Sequence, residues 1–253
     1  MSLVTSFQNG ISNVSETHPL YEMGQLSPIK FITVFDDFIY PASATASDVQ
    51  AWTATNDGGT GTPVFNADAV GGVANVVTAA ADNDYSAYAS ANEIFKFTAG
   101  KKLWLEARVK VAEATTNEST WWVGLTDTLT TGGVQANALG PLASYDGALF
   151  WKTPETAMTL NFETSNAGTQ NTLATFATSV TDTWTKVAFY FDGVDKVYPF
   201  AAVNSSDEWT SYTGQSLTVT GLEEMHVVFG IKAGPTAAAE TLQIDYIFVA
   251  QER

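Results

Sequence analysis

Residues 103–111 read Leu-Trp-Leu-Glu-Ala-Arg-Val-Lys-Val, close to strict alternation. Leu103, Leu105, Ala107, Val109 and Val111 fall on one side, and Trp104, Glu106, Arg108 and Lys110 on the other. A pleated strand, whose side chains alternate between two faces, sorts such a run; a helix scrambles it. Further strands are predicted at residues 35–40, 64–65, 72–77, 121–125, 148–152, 158–163, 172–176, 184–191, 197–203, 225–232 and 242–250. Asp192-Gly193 is a hairpin dipeptide, and Pro199 predicts an edge or a bulge. Residues 42–92 are rich in Ala, Gly, Asn, Asp and Thr and read mostly as turns, with 85–91 running into a loop. The Ala-rich stretch 236–240 is too short for an independent helix. No repeat period is evident, which argues against a propeller or solenoid. The chain is therefore expected to be all-β: a jelly-roll sandwich of two antiparallel sheets with an extended N-terminal arm.

The division expected is an arm at residues 1–34 and one sandwich at residues 35–253. The arm has no sustained period and is broken by Pro19, Gly24 and Pro28. Yet it carries Phe7, Ile11, Val14, Leu20, Tyr21, Met23 and Leu26, too apolar a set for a solvated linker. Either it packs on its own domain, or it orders against another chain, and in the second case these residues are the partner contacts.

A hydrophobic fraction of 45% in 253 residues suffices for a core. The net charge of −16, with eleven basic residues, disfavours nucleic acid and anionic membrane surfaces. The absence of cysteine excludes disulfides and thiolate metal sites, and suits synthesis in a reducing host cytoplasm. Residues 1–10 show no signal-peptide pattern, and no apolar run reaches the ~20 residues of a membrane helix.

The opening Phe35-Asp36-Asp37-Phe38 and the closing Ile244-Asp245-Tyr246-Ile247-Phe248-Val249 resemble the paired first and last strands of concanavalin A-like jelly rolls. Residues 105–111, 122–127 and 184–193 continue the likeness, which is similar to the strand order of laminin-G-like and phage virion proteins. With the arm, the acidity and the missing cysteines, the chain looks like a tailed-phage capsid decoration, or cement, protein. That resemblance implies a structural virion protein on the capsid exterior, a homotrimer that binds the major capsid protein across neighbouring subunits, with no cofactor. The alternative is a carbohydrate-binding or receptor-binding module of a phage tail fibre.

No catalytic set can be nominated. The Glu-x-Asp-x-Glu triplet of one glycosidase group is missing, so a hydrolase would need carboxylates that meet only in three dimensions. Glu106 reads as an outward cross-strand ion pair, Glu223-Glu224 as a solvated turn, and His226 as a packed or half-buried residue. His18 lies in the arm. Loop acids Asp82, Asp84, Asp127 and Asp192 are the calcium candidates, though no metal is assigned. Adjacent Trp121 and Trp122 must point to opposite faces, so one enters the core. Trp122 and Trp151 are expected as exposed aromatic contacts for a sugar or a partner subunit.

Overall fold

The computed structural model describes residues 29–38, 52–57, 64–65, 71–114, 118–128, 140–152, 157–235 and 238–253. Among the described residues there are sixteen strands and no helix, arranged as two antiparallel sheets. The nine-stranded sheet holds β1 (Phe31–Asp36), β3 (Val64–Phe65), β4 (Ala74–Val77), β6 (Leu103–Ala112), β11 (Thr185–Phe191), β12 (Lys196–Ala202), β13 (Thr210–Ser211), β14 (Gln215–Ser216) and β16 (Thr241–Glu252). The seven-stranded sheet holds β2 (Trp52–Asn56), β5 (Tyr85–Ser90), β7 (Thr120–Thr126), β8 (Gly147–Trp151), β9 (Thr159–Asn166), β10 (Thr169–Thr178) and β15 (His226–Lys232). Its order is β10-β9-β8-β7-β15-β5-β2; the other runs β13-β12-β11-β6-β16-β4-β3, with β1 added on β16 and β14 on β12.

The alternation in β6 sorts as expected. Leu103, Leu105, Ala107, Val109 and Val111 face the main core, where they meet Val123, Leu125, Phe150, Phe162, Phe229 and Ile231 from the opposite sheet. First and last strands do lie together, with Phe31 opposite Glu252 and Asp36 opposite Ile247. Asp36 then joins the two layers. Its Oδ1 accepts the Phe38 amide at 2.8 Å and its Oδ2 accepts the Trp52 indole N–H at 2.7 Å. Pro199, which has no amide hydrogen to donate, sits in the gap between the two short strands on the outer side of β12.

Several expectations need correction. The first strand begins at Phe31, so residues 31–34 belong to the sandwich and not to the arm. Residues 85–90 form a paired strand, β5, between β15 and β2, where a loop was expected. Strands β2, β13 and β14 were hidden in stretches of small polar residues, as were both ends of β10. Glu106 is not solvated: it is buried, and its Oε1 accepts the Tyr246 hydroxyl at 2.6 Å. The arm contacts Phe7, Ile11, Val14, Leu20, Tyr21, Met23 and Leu26 lie outside the described residues.

At the end of β10 the ladder with β9 breaks between Leu173 and Ala177, and Thr175 takes a positive φ of 50°. Among the described residues β10 pairs with β9 alone, so the break falls on a sheet edge.

Lys152 is a fully buried charge. Its Nζ donates to Glu113 Oε1 at 2.8 Å and to the Ser119 carbonyl at 2.7 Å, with both ionic side chains essentially fully buried. Burial lowers the Lys152 pKa, and the hydrogen bond and charge of Glu113 oppose that shift. Removing one partner strands the other charge in the interior. Lys152→Met is expected to cost about 3–5 kcal/mol in urea unfolding, and adding Glu113→Gln should recover part of the loss. A single substitution without effect on the unfolding midpoint would show that water reaches this pair.

Candidate functional site

The outward face of the seven-stranded sheet gathers the residues with binding chemistry. Trp121 points into the main core and Trp122 away from it, as adjacent strand residues must. Trp122 stands opposite Trp151 across the β7–β8 pair, and both join Ala87, Ala89, Tyr145, Leu149 and Val228 in a second apolar cluster. Here the expectation of exposed indoles fails: Trp122 is 1% exposed and Trp151 7%. The reason is close backbone on either side. A Cβ on Gly230 would meet the Trp122 ring at 2.2 Å, so that indole lies flat on bare backbone. A Cβ on Gly140 would meet the far edge of the Trp151 ring at 3.1 Å, so that residue closes over Trp151.

Residues 140–146 are fastened onto this face by side chains of β9 and β10. Gln170 Nε2 donates to the Leu142 carbonyl at 2.8 Å, and Ser165 Oγ donates to the Tyr145 carbonyl at 2.5 Å. The Tyr145 hydroxyl donates to Glu163 Oε1 at 3.1 Å, and the Thr172 hydroxyl donates to Glu163 Oε2 at 2.5 Å. Asn161 completes the row, donating to the Trp151 carbonyl at 3.3 Å and accepting the Thr175 amide at 2.8 Å. Glu163 is buried while Thr172 and Gln170 beside it are exposed, so the carboxylate lies one side chain in from the surface. Burial pushes the Glu163 carboxyl above its ordinary range, against the hydrogen bonds from Thr172 and Tyr145. Two buried polar atoms on this face, Thr120 Oγ1 and Trp151 Nε1, have no hydrogen-bond partner among the described residues.

The sequence-nominated acids do not converge. Asp192 Oδ1 accepts three amides of its own turn, from Val194, Asp195 and Lys196. Asp84 Oδ2 accepts the Ala81 amide, Asp82 Oδ1 the Asn83 side-chain amide, and Asp127 Oδ1 the Asp146 amide. Asp146, which the sequence did not single out, fixes two more loops by accepting the Ala167 and Glu223 amides at 2.7 Å. No group of three metal-ligating side chains forms among the described residues. His226 is half-buried as expected, with Nδ1 at 2.6 Å from the Ser90 carbonyl and Nε2 at 3.3 Å from Glu93. Glu223 and Glu224 are exposed, and Glu224 pairs with Lys96 at 3.1 Å. Tyr145 and Glu163 were missed because each is unremarkable in sequence, and only the β8–β9–β10 register brings them to Thr172.

No family model and no curated protein matches the chain. Solved structures do. The lectin UEA-II complexed with galactose superposes with a TM-score of 0.61 at 10% identity, over 88% of this chain and 99% of that one. This is a concanavalin A-like jelly roll. Peanut lectin with a nine-residue peptide matches at 0.59 and 13% identity, covering 88% and 97%. A protein of unknown function from Shewanella oneidensis MR-1 matches at 0.60 and 16% identity, covering 88% and 87%. The terminal strand pair of the concanavalin A-like fold, expected from sequence, is thus present, shifted toward the N-terminus.

Two outcomes follow. Gly230→Val should lift Trp122 from the sheet, red-shift its fluorescence and destabilise by ~1–3 kcal/mol; unchanged emission and stability would show the ring has another place to lie. The second concerns pH. The folded-state pKa of Glu163 is raised, so the native state holds its proton more tightly than the unfolded chain. Its contribution is fully present below the ordinary carboxylate pKa, about 4.3, and is lost as pH rises through the higher folded value. Glu163→Gln should therefore flatten the fall in unfolding free energy above about pH 4.3; an unaltered slope assigns that fall to other groups.

Proposed function

We propose that the protein is a carbohydrate-binding module without catalytic activity. The observation that carries this reading is the row Asn161, Glu163, Thr172 and Gln170 along the margin of the Trp122–Trp151 cluster. Sugar recognition needs a few fixed hydrogen-bonding groups, and here Thr172 and Gln170 lie at the surface with Glu163 just beneath, while the indoles stay covered by residues 140–146 and do not themselves stack on a ligand. Glu163 is oriented by two donors and a carboxylate has about four acceptor positions, so it retains capacity for a ligand hydroxyl. The similarity to a lectin that was solved with galactose agrees with this use of the fold. Hydrolysis would require a second carboxylate facing Glu163, about 5–10 Å away.

The capsid-decorating role, the homotrimer and the virion location remain expectations. Their contact residues lie in the arm, outside the described residues, and the lectins named above do not bear on them.

A screen of neutral glycans followed by calorimetry tests the proposal. Thr172→Ala and Glu163→Gln should each weaken a neutral-sugar ligand by about tenfold or more, the cost of a lost charge-assisted hydrogen bond. Failure of the wild-type protein to retain any neutral glycan would remove the reading.

A further inference from the structure

The other sheet carries an unrelated arrangement on its outward face. Lys186 of β11 is directly opposite Arg108 of β6, and Lys110 follows on the same face two residues along. Like charges placed opposite each other weaken a sheet. Three of only eleven basic residues are nonetheless gathered here, in a chain of net charge −16. They stand over indoles. The Arg108 guanidinium carbon lies 4.5 Å and Lys110 Nζ 5.3 Å from the centre of the Trp184 ring, and Lys186 Nζ lies 5.5 Å from that of Trp209. Each cation has a carboxylate partner, but the three pairs are unequal. Asp245, which pairs with Arg108, is largely buried and belongs to β16. Asp182 on Lys110 and Asp207 on Lys186 are surface groups, 72% and 99% exposed, at 3.1 and 2.8 Å. Exposed pairs of this kind hold weakly and exchange with solvent. Asp207 also sits in the field of both neighbours: the hydrogen bond and charge of Lys186, and then the charge of Arg108, lower its pKa.

We propose that Arg108, Lys110 and Lys186, with Trp184 and Trp209, form a binding surface for an acidic sugar chain whose carboxylates displace Asp182 and Asp207. The cations are held in place by the β6–β11 register and by the indoles, so a ligand carboxylate meets donors that are already ordered. Both rings are half-buried beneath the cations, and what they leave exposed is apolar surface beside the charges, against which a sugar ring packs. An acidic peptide would use the cations alone, which is why the aromatic pair favours a saccharide. This surface is on the opposite sheet from the Glu163 row and does not depend on it.

Polygalacturonate is the probe, titrated into the full chain with indole fluorescence and calorimetry as readouts, and with polyglutamate and neutral galactan as comparators. Polygalacturonate should bind and polyglutamate should bind at least tenfold more weakly. Lys110→Ala with Lys186→Ala should weaken polygalacturonate by tenfold or more. Asp182→Asn with Asp207→Asn, which frees the same cations and keeps the side-chain shape, should tighten it several-fold. Thr172→Ala should leave it unchanged, which separates this surface from the neutral-sugar row. The proposal is overturned by absent polygalacturonate binding in both the wild type and the Asp variant, by affinity indifferent to both pairs of substitutions, or by equal affinity for polyglutamate.

Discussion

The long register between β6 and β16 governs the architecture. Ten residue pairs, from Thr241 opposite Ala112 to Gln251 opposite Leu103, join a strand near the middle of the sequence to its last strand. β16 also carries β4 along one half and β1 along the other, so the first and last described strands meet on it. Its inward residues Leu242, Ile244, Ile247 and Val249 are completely buried in the main core. The register slips once, between Ile244 and Tyr246, and at that slip Asp245 engages Arg108. A bulge in the central strand therefore positions the acid that pairs with Arg108 on the basic face.

Both outward faces are more buried than a half-solvated sheet would be. On the nine-stranded sheet Trp104, Ala188 and Ala250 are fully buried, with Phe31 and Tyr190 flanking Trp104 at 5.9 and 5.6 Å. On the seven-stranded sheet the Trp122 cluster is closed by residues 140–146. Polar chemistry is accordingly displaced to the margins, to the Glu163 row on one sheet and to the cation row on the other.

Period-two patterning made the sandwich legible, because burial of one face is written directly into β6, β7 and β11. It failed where small residues carry the strand. Tyr-Ser-Ala-Tyr-Ala-Ser in β5 looks like a loop because its outward positions, Ala87 and Ala89, must be small beneath Trp122 and its neighbours. The first strand was placed late because Phe38 resembles a strand residue. In fact it has left the sheet, with φ at 49°, to pack its ring 5.7 Å from Phe229. Alternation correctly sent Trp121 and Trp122 to opposite faces, but no local pattern says what lies above a face. Exposure of Trp122 and Trp151 was misjudged for that reason. The Glu163 row depends on pairings among three strands, which a linear reading does not contain.

The interrupted end of β10 bears on how molecules tolerate crowding. Thr-Gln-Asn-Thr-Leu-Ala-Thr-Phe-Ala-Thr has neither charge nor proline, the composition of an edge that invites another strand. The left-handed residue at Thr175 turns the later amides out of line with Thr169–Leu173, so an incoming strand finds only a short straight segment to copy. At this edge of the described residues, backbone geometry stands where a lysine or proline usually guards a strand against another chain.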